Sequence, residues 1–352
     1  MLARHDTEAP PGPGTAGELR ELLARAPSPD AVGHRLVHSG PHLRGPVLVD
    51  DRVRALLDEA APLAPLHLPP ALAALDAARE LLPGVPHVAC FDTAFHAAMP
   101  EPARTYAVPE RWRTAYGVRR YGFHGLSYAW ALDRAAALLG RPPGSAHAVL
   151  LHLGGGCSAV AVRDGHGVDT TMGLTPLEGL VMSRRSGSVD PGALLWLQTR
   201  HGLDAREIEE ELSRRSGLLG LSGTSGDTRD LVAARAAGDE RAALALACFT
   251  HACRRAVAAM AASLDRLDAL VFTGEIGQDQ PEVREEVCAG LAVLGVRGGL
   301  TVPRAGDEDA FRVSPPGAEV PVVVVPTGEI RQVAAETRAV LARQPAGRGR
   351  EE

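Results

Sequence analysis

Short apolar runs alternate along this chain with longer stretches in which apolar positions recur every three to four residues, the pattern of strands alternating with helices. Residues 18–25 read as a short helix stopped by Pro27-Ser28-Pro29. Residues 31–37 read as a strand, 50–60 and 70–82 as helices, and 87–91 as an apolar strand that runs straight into Asp92. From Ala148 the pattern sharpens into a strand over 148–153, the turn Gly154-Gly155-Gly156, a strand over 158–162 and the turn Asp164-Gly165. A dinucleotide site of the Rossmann kind needs strand, glycine loop and helix, so strand–turn–strand excludes it here. Downstream, Asp204 and Glu207 stand at the spacing of a capping box that opens a helix through 212. Residues 240–267 form an alanine-rich helical stretch, 270–273 a strand ending in Gly274-Glu275-Ile276-Gly277, and 281–294 a helix. A β-branched strand over 322–325 precedes a last helix that runs to 343. Residues 1–17, rich in Pro, Gly and Thr, are expected to be disordered or loosely attached.

At 352 residues the chain is long enough for two domains of ordinary size. A formal net charge of −6 offers no basic surface for nucleic acid or anionic lipid. No apolar run approaches the roughly 20 residues of a membrane span, and the N-terminus lacks the apolar core of a signal peptide. The expected compartment is therefore the cytoplasm. The five cysteines form no CxxC pair, which suits buried thiols in a reducing medium. The chain contains neither lysine nor asparagine, so all 37 of its Lys and Arg residues are arginine. P-loop and protein-kinase sites, which place a lysine on the phosphates, are thereby excluded, as is Schiff-base chemistry. Phosphate charge must be met by arginine, histidine, backbone N–H groups or a metal.

Several segments offer such groups. Arg35 and Arg185 lie in glycine-rich, non-helical stretches, GHRLVHSG and MSRRSGSVDP, from which an arginine can project. His124 is flanked by glycines in Tyr121-Gly122-Phe123-His124-Gly125, where backbone can approach a ligand closely. Asp92 and Glu329 follow apolar strands, positions from which a carboxylate can face a metal or orient an arginine. Taken singly, each of these is as consistent with an ion pair, a cap or a packed side chain as with a function.

The order of the motifs adds what single residues do not. VGHRLVHSG, LAPLHLPP, FDTAFHAAMP, YGFHGLS, HLGGGCS, TPLEGLVMSRRSGSVDP, SGTSGDTRDL, FTGEIGQ and PTGE follow one another along residues 30–343. Together they closely resemble the acetate kinase family (acetate/propionate kinases) of the actin-like ATPase superfamily. The resemblance implies an α/β fold of two actin-like, ribonuclease H-like domains, residues 1–96 with 331–352 and residues 97–330, and an interdomain active-site cleft. It implies ATP and acetate or propionate as substrates, Mg²⁺ or Mn²⁺ as cofactor, and a homodimer. Arg35, Asp92, His124 and Arg185 resemble the family's catalytic groups, and Glu329 the glutamate that helps hold the metal. His152, Gly154, Gly155 and Gly156 match the phosphate-cradling hairpin. Asp227, Thr228 and Arg229, with Gly274, Glu275 and Gly277, match the nucleotide site. Val37, Leu66, Phe123 and Pro176 fall where the family forms a small apolar pocket for the substrate's methyl group.

The chain also departs from the family. The opening N-x-[GS]-S-S-S-x-K has no counterpart here, so the resemblance implies an incomplete first domain, an uncovered sheet edge and reduced turnover of the chain as it stands. Gly155, Leu68 and Gly328 stand where a polar residue is expected, Glu275 replaces a glycine, Cys157 a serine and Thr228 an aromatic. The alternative to an active kinase is a catalytically impaired paralogue that serves as a nucleotide-binding or partner subunit.

Overall fold

The computed structural model describes residues 15–25, 27–65, 67–142, 144–302 and 310–343. Residues 1–14 of the segment expected to be loose lie outside that range, whereas Thr15–Arg25 is helical, so positions 15–17 belong to the first helix. The chain divides into a smaller unit, residues through Ala97 together with those from Glu329, and a larger one, Ala98–Gly328. The boundaries expected at 96/97 and 330/331 thus move by one and two residues. Glu329 passes to the smaller unit because it opens the helix Glu329–Ala342, which packs on that unit's sheet.

In the smaller unit β1 (Val32–Leu36), β2 (Val47–Leu48) and β3 (His87–Phe91) form a sheet in the order β1-β3-β2, with β1 parallel and β2 antiparallel to β3. All five residues of β3 are buried, as a central strand's should be. Among the described residues β1 pairs on one side only. Leu36, Leu57, Leu68, Leu75 and Phe91 form the centre of the core. The helix Leu68–Leu81 packs on β1, and Glu329–Ala342 packs on β1 and β3. A methyl group on Gly33 would lie 2.5 Å from Thr337 Oγ1 and 2.6 Å from Val333 Cγ1, so glycine is what lets the last helix approach β1. The register pairs Arg35 with Cys90, two positions before Asp92, and so brings that arginine and that carboxylate to one end of the sheet.

The larger unit carries β4 (Ala148–Leu153), β5 (Cys157–Arg163), β6 (His166–Thr170), β7 (Ala269–Thr273), β8 (Phe311–Arg312) and β9 (Val322–Val324) in the order β6-β5-β4-β7-β9-β8. β4, β5 and β6 form an antiparallel meander, and β4, β7 and β9 run parallel. This is the expected actin-like layout. β7 and β9 are buried throughout, which is why they read as unbroken apolar runs. The helix Gly125–Leu138 packs on β4 and β7, and Glu240–Ala261 on β4 and β5.

Several helix ends differ from the sequence-based expectation. The alanine-rich helix stops at Ala261, not 267. The residues after it are claimed by tertiary bonds: Ser263 Oγ donates to Asp169 at 2.9 Å, and Asp268 exchanges bonds with the His147 backbone. The helix expected over 281–294 ends at Ala289, before Gly290, and Ala292–Leu294 is a separate 3₁₀ turn. The Asp204–Glu207 capping box is formed, but its α-helix ends at Glu210 and passes into a π turn over Glu211–Arg215. Gly274-Glu275-Ile276-Gly277, expected only to end the strand, lies within the short helix Gly274–Asp279.

At the opposite end of β3 from Asp92, His34 and His87 stack with ring centres 5.2 Å apart. His87 Nε2 lies 3.2 Å from the Leu82 carbonyl, which can only accept, so a neutral His87 accepts at Nδ1 from His34 Nε2 at 2.9 Å. One of the two facing nitrogens must be bare, so the rings are never both cationic. Burial, aided by the neighbouring His87, lowers the pKa of His34 from 6.5 to about 4, and burial lowers that of His87 too. Because the folded pKa of His34 is depressed, the unfolded chain takes up its proton first as pH falls. Stability should therefore drop between about pH 6.5 and pH 4. The urea midpoint of the wild type is expected to fall across this window and that of His34→Gln to fall less; equal slopes would show that the pair does not carry the effect.

Candidate active site

Each unit holds a cluster of the residues singled out by sequence. In the smaller unit Asp92 leaves the end of β3, its backbone N–H bonded to the Leu36 carbonyl at 3.1 Å. Asp92 Oδ2 accepts from Arg35 Nη2 at 2.8 Å, and Glu329 Oε2 stands 3.3 Å from Arg35 Nε. Burial opposes the charge on Arg35, but Asp92 and then Glu329 outweigh it and raise its pKa. Burial raises the pKa of Glu329, against the pull of Arg35 and with the push of Asp92. Two hard carboxylates on one guanidinium make a rigid acidic corner. Among the described residues no group of three or more His, Cys, Asp or Glu side chains forms a metal site. Mg²⁺ needs fewer, since it keeps several waters and takes phosphate oxygens beside one or two carboxylates. Asp92 and Glu329 fit that donor set.

In the larger unit the turn between β4 and β5 is closed by Gly154 N–H on the Gly156 carbonyl at 3.0 Å. A methyl group on Gly156 would lie 3.3 Å from His124 Nε2 and 3.6 Å from Arg185 Nη1, so two cationic or donor groups border this turn. His124 caps the helix Gly125–Leu138 from a left-handed conformation, φ 60°, uncommon outside glycine and typical of residues held for function. Arg185 is half-buried, and burial lowers its pKa against an opposing influence from Cys157. Among the described residues no carboxylate stands within ion-pair distance of it. Its loop is held by backbone bonds: Met182 N to Arg185 O at 3.1 Å, Ser216 N to Arg184 O at 3.1 Å and Leu218 N to Met182 O at 2.8 Å. Gly217, at φ 65°, makes this possible, because a Cβ there would collide with the carbonyls of Met182 and Arg185. A guanidinium kept partly out of water without an acid is arranged for an incoming anion.

Beside the turn lies a cavity of about 380 Å³ lined by Gly154, Gly155, Ser183, Gly226, Asp227, Thr228, Arg229, Glu275, Ile276, Asp279 and Gln280. Asp227 and Arg229 pair at the start of the helix Thr228–Ala236, and Ser183 Oγ ties its loop to the Gly226 carbonyl at 2.8 Å.

Residues 19–335 match the acetokinase family. The chain belongs to the acetokinase family. It is 46% identical over 319 residues, 89% of its length and 79% of the other's, to the acetate kinase of Deinococcus deserti. Among solved structures it resembles the acetate kinase of Porphyromonas gingivalis with a TM-score of 0.82 and 40% identity, covering 89% of this chain and 78% of that one. It also resembles a propionate kinase of Francisella tularensis, with a TM-score of 0.82 and 35% identity over 92% and 81% of the two chains. The actin-like fold inferred from the sequence is thereby shown.

Against this acetokinase frame, Arg35, Asp92 and Glu329 meet in the smaller unit, and His124, His152, Arg185 and the three glycines meet in the larger. Gly154, Gly155, Asp227, Thr228, Arg229 and Glu275 share the cavity wall. Thr228 is buried, so little of it is open to a ligand, and Gly274 and Gly277 are buried in the helix start beside the cavity. Gly274, at φ 81°, presses against the Leu153 carbonyl and seats that helix on β4. The four apolar-pocket residues are not brought together within either unit. Val37 belongs to the smaller unit, Phe123 and Pro176 to the larger with Phe123 buried, and Leu66 lies outside the described residues. Among the described residues no helix is long and apolar enough to cross a membrane.

Sequence reasoning missed Gly217, Ser183 and Gly226, whose contacts fix the arginine loop and the cavity wall. For Ser183 and Gly226 the signal was present, since they lie within the motifs TPLEGLVMSRRSGSVDP and SGTSGDTRDL, whereas Gly217 lies outside both. Glu275 is exposed on the cavity wall with Asp279 and Asp227, where Arg229 already pairs with Asp227. The three carboxylates outnumber the one guanidinium on this wall, a balance that would oppose an anionic ligand. Glu275→Gln is expected to tighten ADP binding about two- to fivefold in calorimetry, the scale of one exposed charge interaction. Weakened binding would instead make Glu275 a direct contact of the nucleotide.

Proposed function

We propose that this chain is an acetate or propionate kinase that transfers the γ-phosphoryl group of ATP to the carboxylate by direct in-line attack. The observation that carries the reading is Arg185, half-buried with no acidic partner among the described residues, beside His124 at a glycine turn. Such a place suits a phosphoryl group whose three outer oxygens carry charge in the transition state. The carboxylate needs no general base, because it is already ionised near neutral pH. One of its oxygens bonds to the γ-phosphorus as the bond from that phosphorus to the bridging oxygen breaks, giving acyl phosphate and ADP with no proton moved. Arg35, held by Asp92 and Glu329, would orient the carboxylate and the transferring oxygens. Asp92 and Glu329 would hold Mg²⁺, which when bound supplies neutralising charge to the phosphates. The cavity beside Gly154 and Gly155 would take the nucleoside, with the triple-glycine turn at its phosphates. A reaction that draws on ATP and ADP would belong in the cytoplasm.

A homodimer is the proposed assembly. It is supported by the helix Pro191–His201, none of whose residues is buried and which turns Leu195 and Trp196 outward at 62% and 54% exposure. Sedimentation should give twice the mass of one chain, and Trp196→Glu should shift the protein towards monomer; a wild-type monomer would refute the pairing.

The decisive test is acetyl phosphate formation, trapped as hydroxamate, from acetate, ATP and Mg²⁺. Turnover in the wild type and a loss of about a hundredfold or more in Arg185→Ala are expected, the scale of removing a transition-state charge contact. Nucleotide binding without turnover would favour the impaired paralogue.

A further inference from the structure

His124 and His152 stack with ring centres 4.1 Å apart and planes 24° from parallel. Each has a serine hydroxyl on Nδ1: Ser158 Oγ lies 2.8 Å from His124 and Ser127 Oγ 2.8 Å from His152. Each also turns Nε2 towards the glycine turn, because methyl groups on Gly156 and Gly154 would lie 3.3 and 3.6 Å from those atoms. The hydroxyl of Tyr128 bonds Ser158 Oγ and takes a backbone hydrogen bond from His152. Tyr128, Ser158 and Ser127 are wholly buried.

A serine hydroxyl has one proton to give. If Ser158 gives it to Tyr128, His124 Nδ1 must keep its own proton, and Nε2 presents a bare lone pair to the phosphate turn. If Tyr128 donates to Ser158, the Ser158 proton is left free for His124 Nδ1, and the ring proton can then stand on Nε2. A bare lone pair would repel phosphoryl oxygens, whereas an N–H donor attracts them. The second order achieves this without charging either ring, and two cationic imidazoles stacked this closely would repel each other.

We propose that the Tyr128–Ser158 hydroxyl chain is a positioning relay that holds His124 as the neutral Nε2–H tautomer. Ser127 does the same for His152, so that the glycine turn faces two N–H donors. Neither Tyr128 nor Ser158 touches the phosphates. They act through the proton they direct onto His124. The inference rests on the kinase reading, since it takes the turn to be a phosphate site.

Long-range ¹H–¹⁵N correlation of histidine-labelled protein reads the tautomer directly, with His124 assigned by the signals lost in His124→Gln. The wild type is expected to show Nε2–H at His124. Tyr128→Phe, which removes one oxygen and keeps the ring, should give a mixture of tautomers. Its kcat should fall about tenfold, the scale of one buried hydrogen bond, with KM for ATP nearly unchanged. Ser158→Ala should shift the tautomer further. A wild-type His124 protonated on Nδ1 would overturn the relay, as would a Tyr128→Phe protein with unaltered spectrum and kcat. The spectrum is recorded without substrate. Absence of acetyl phosphate formation would therefore sink the kinase reading while the tautomer still decides the relay.

Discussion

The positive charge of Arg185 is held half out of water with no carboxylate to balance it among the described residues, on a loop tied to the segment around Gly217. Desolvating an unpaired guanidinium is costly, and burial accordingly pulls its pKa down. The cost is met by backbone hydrogen bonds from Met182, Ser216 and Leu218 that leave the loop no alternative path. A glycine at 217 permits those bonds, since any side chain would strike two of the carbonyls involved. Arg35 is treated oppositely. Asp92 and Glu329 pair with it, so its charge is balanced before any ligand arrives. One arginine is poised for an anion, and the other is part of a prearranged corner.

Positions that depart from the family pattern are built into the local packing. Leu68, at a position where a polar side chain was expected, is wholly enclosed in the smaller unit's core. Gly328 faces the indole of Trp130, and a Cβ at 328 would overlap that ring, so the glycine and the tryptophan go together. Trp130 in turn donates from Nε1 to the Pro326 carbonyl at 3.1 Å. Cys157 turns inward, 3.3 Å from the Gly154 carbonyl, and burial raises its pKa to about 12, so it packs the turn and takes no part as a nucleophile. Gly155, by contrast, faces open space at the cavity, where its lack of a side chain removes a possible ligand contact.

The sequence by itself did not mark β2, β6 and β8 or the helices Gly125–Leu138, Pro191–His201 and Thr228–Ala236, but it determined the strands β1, β3, β4, β5, β7 and β9, several helices and most of the groups at the two clusters. These follow from short-range rules: apolar periodicity over 87–91 and 148–153, glycines in sequence at 154–156, a capping box at Asp204 and Glu207, and motifs in a fixed order. Tertiary structure alone decided the rest. Helix ends shifted where distant partners claimed the chain, as Asp169 claims Ser263. Glu329 joined the smaller unit because its helix packs on β1 and β3. The partnership of His124 with Ser158 and Tyr128, and the lack of an acid beside Arg185 among the described residues, depend on which residues far apart in sequence meet in space. Composition and spacing carry no record of those meetings, because a side chain's charge, tautomer and reach are set by neighbours that the fold supplies.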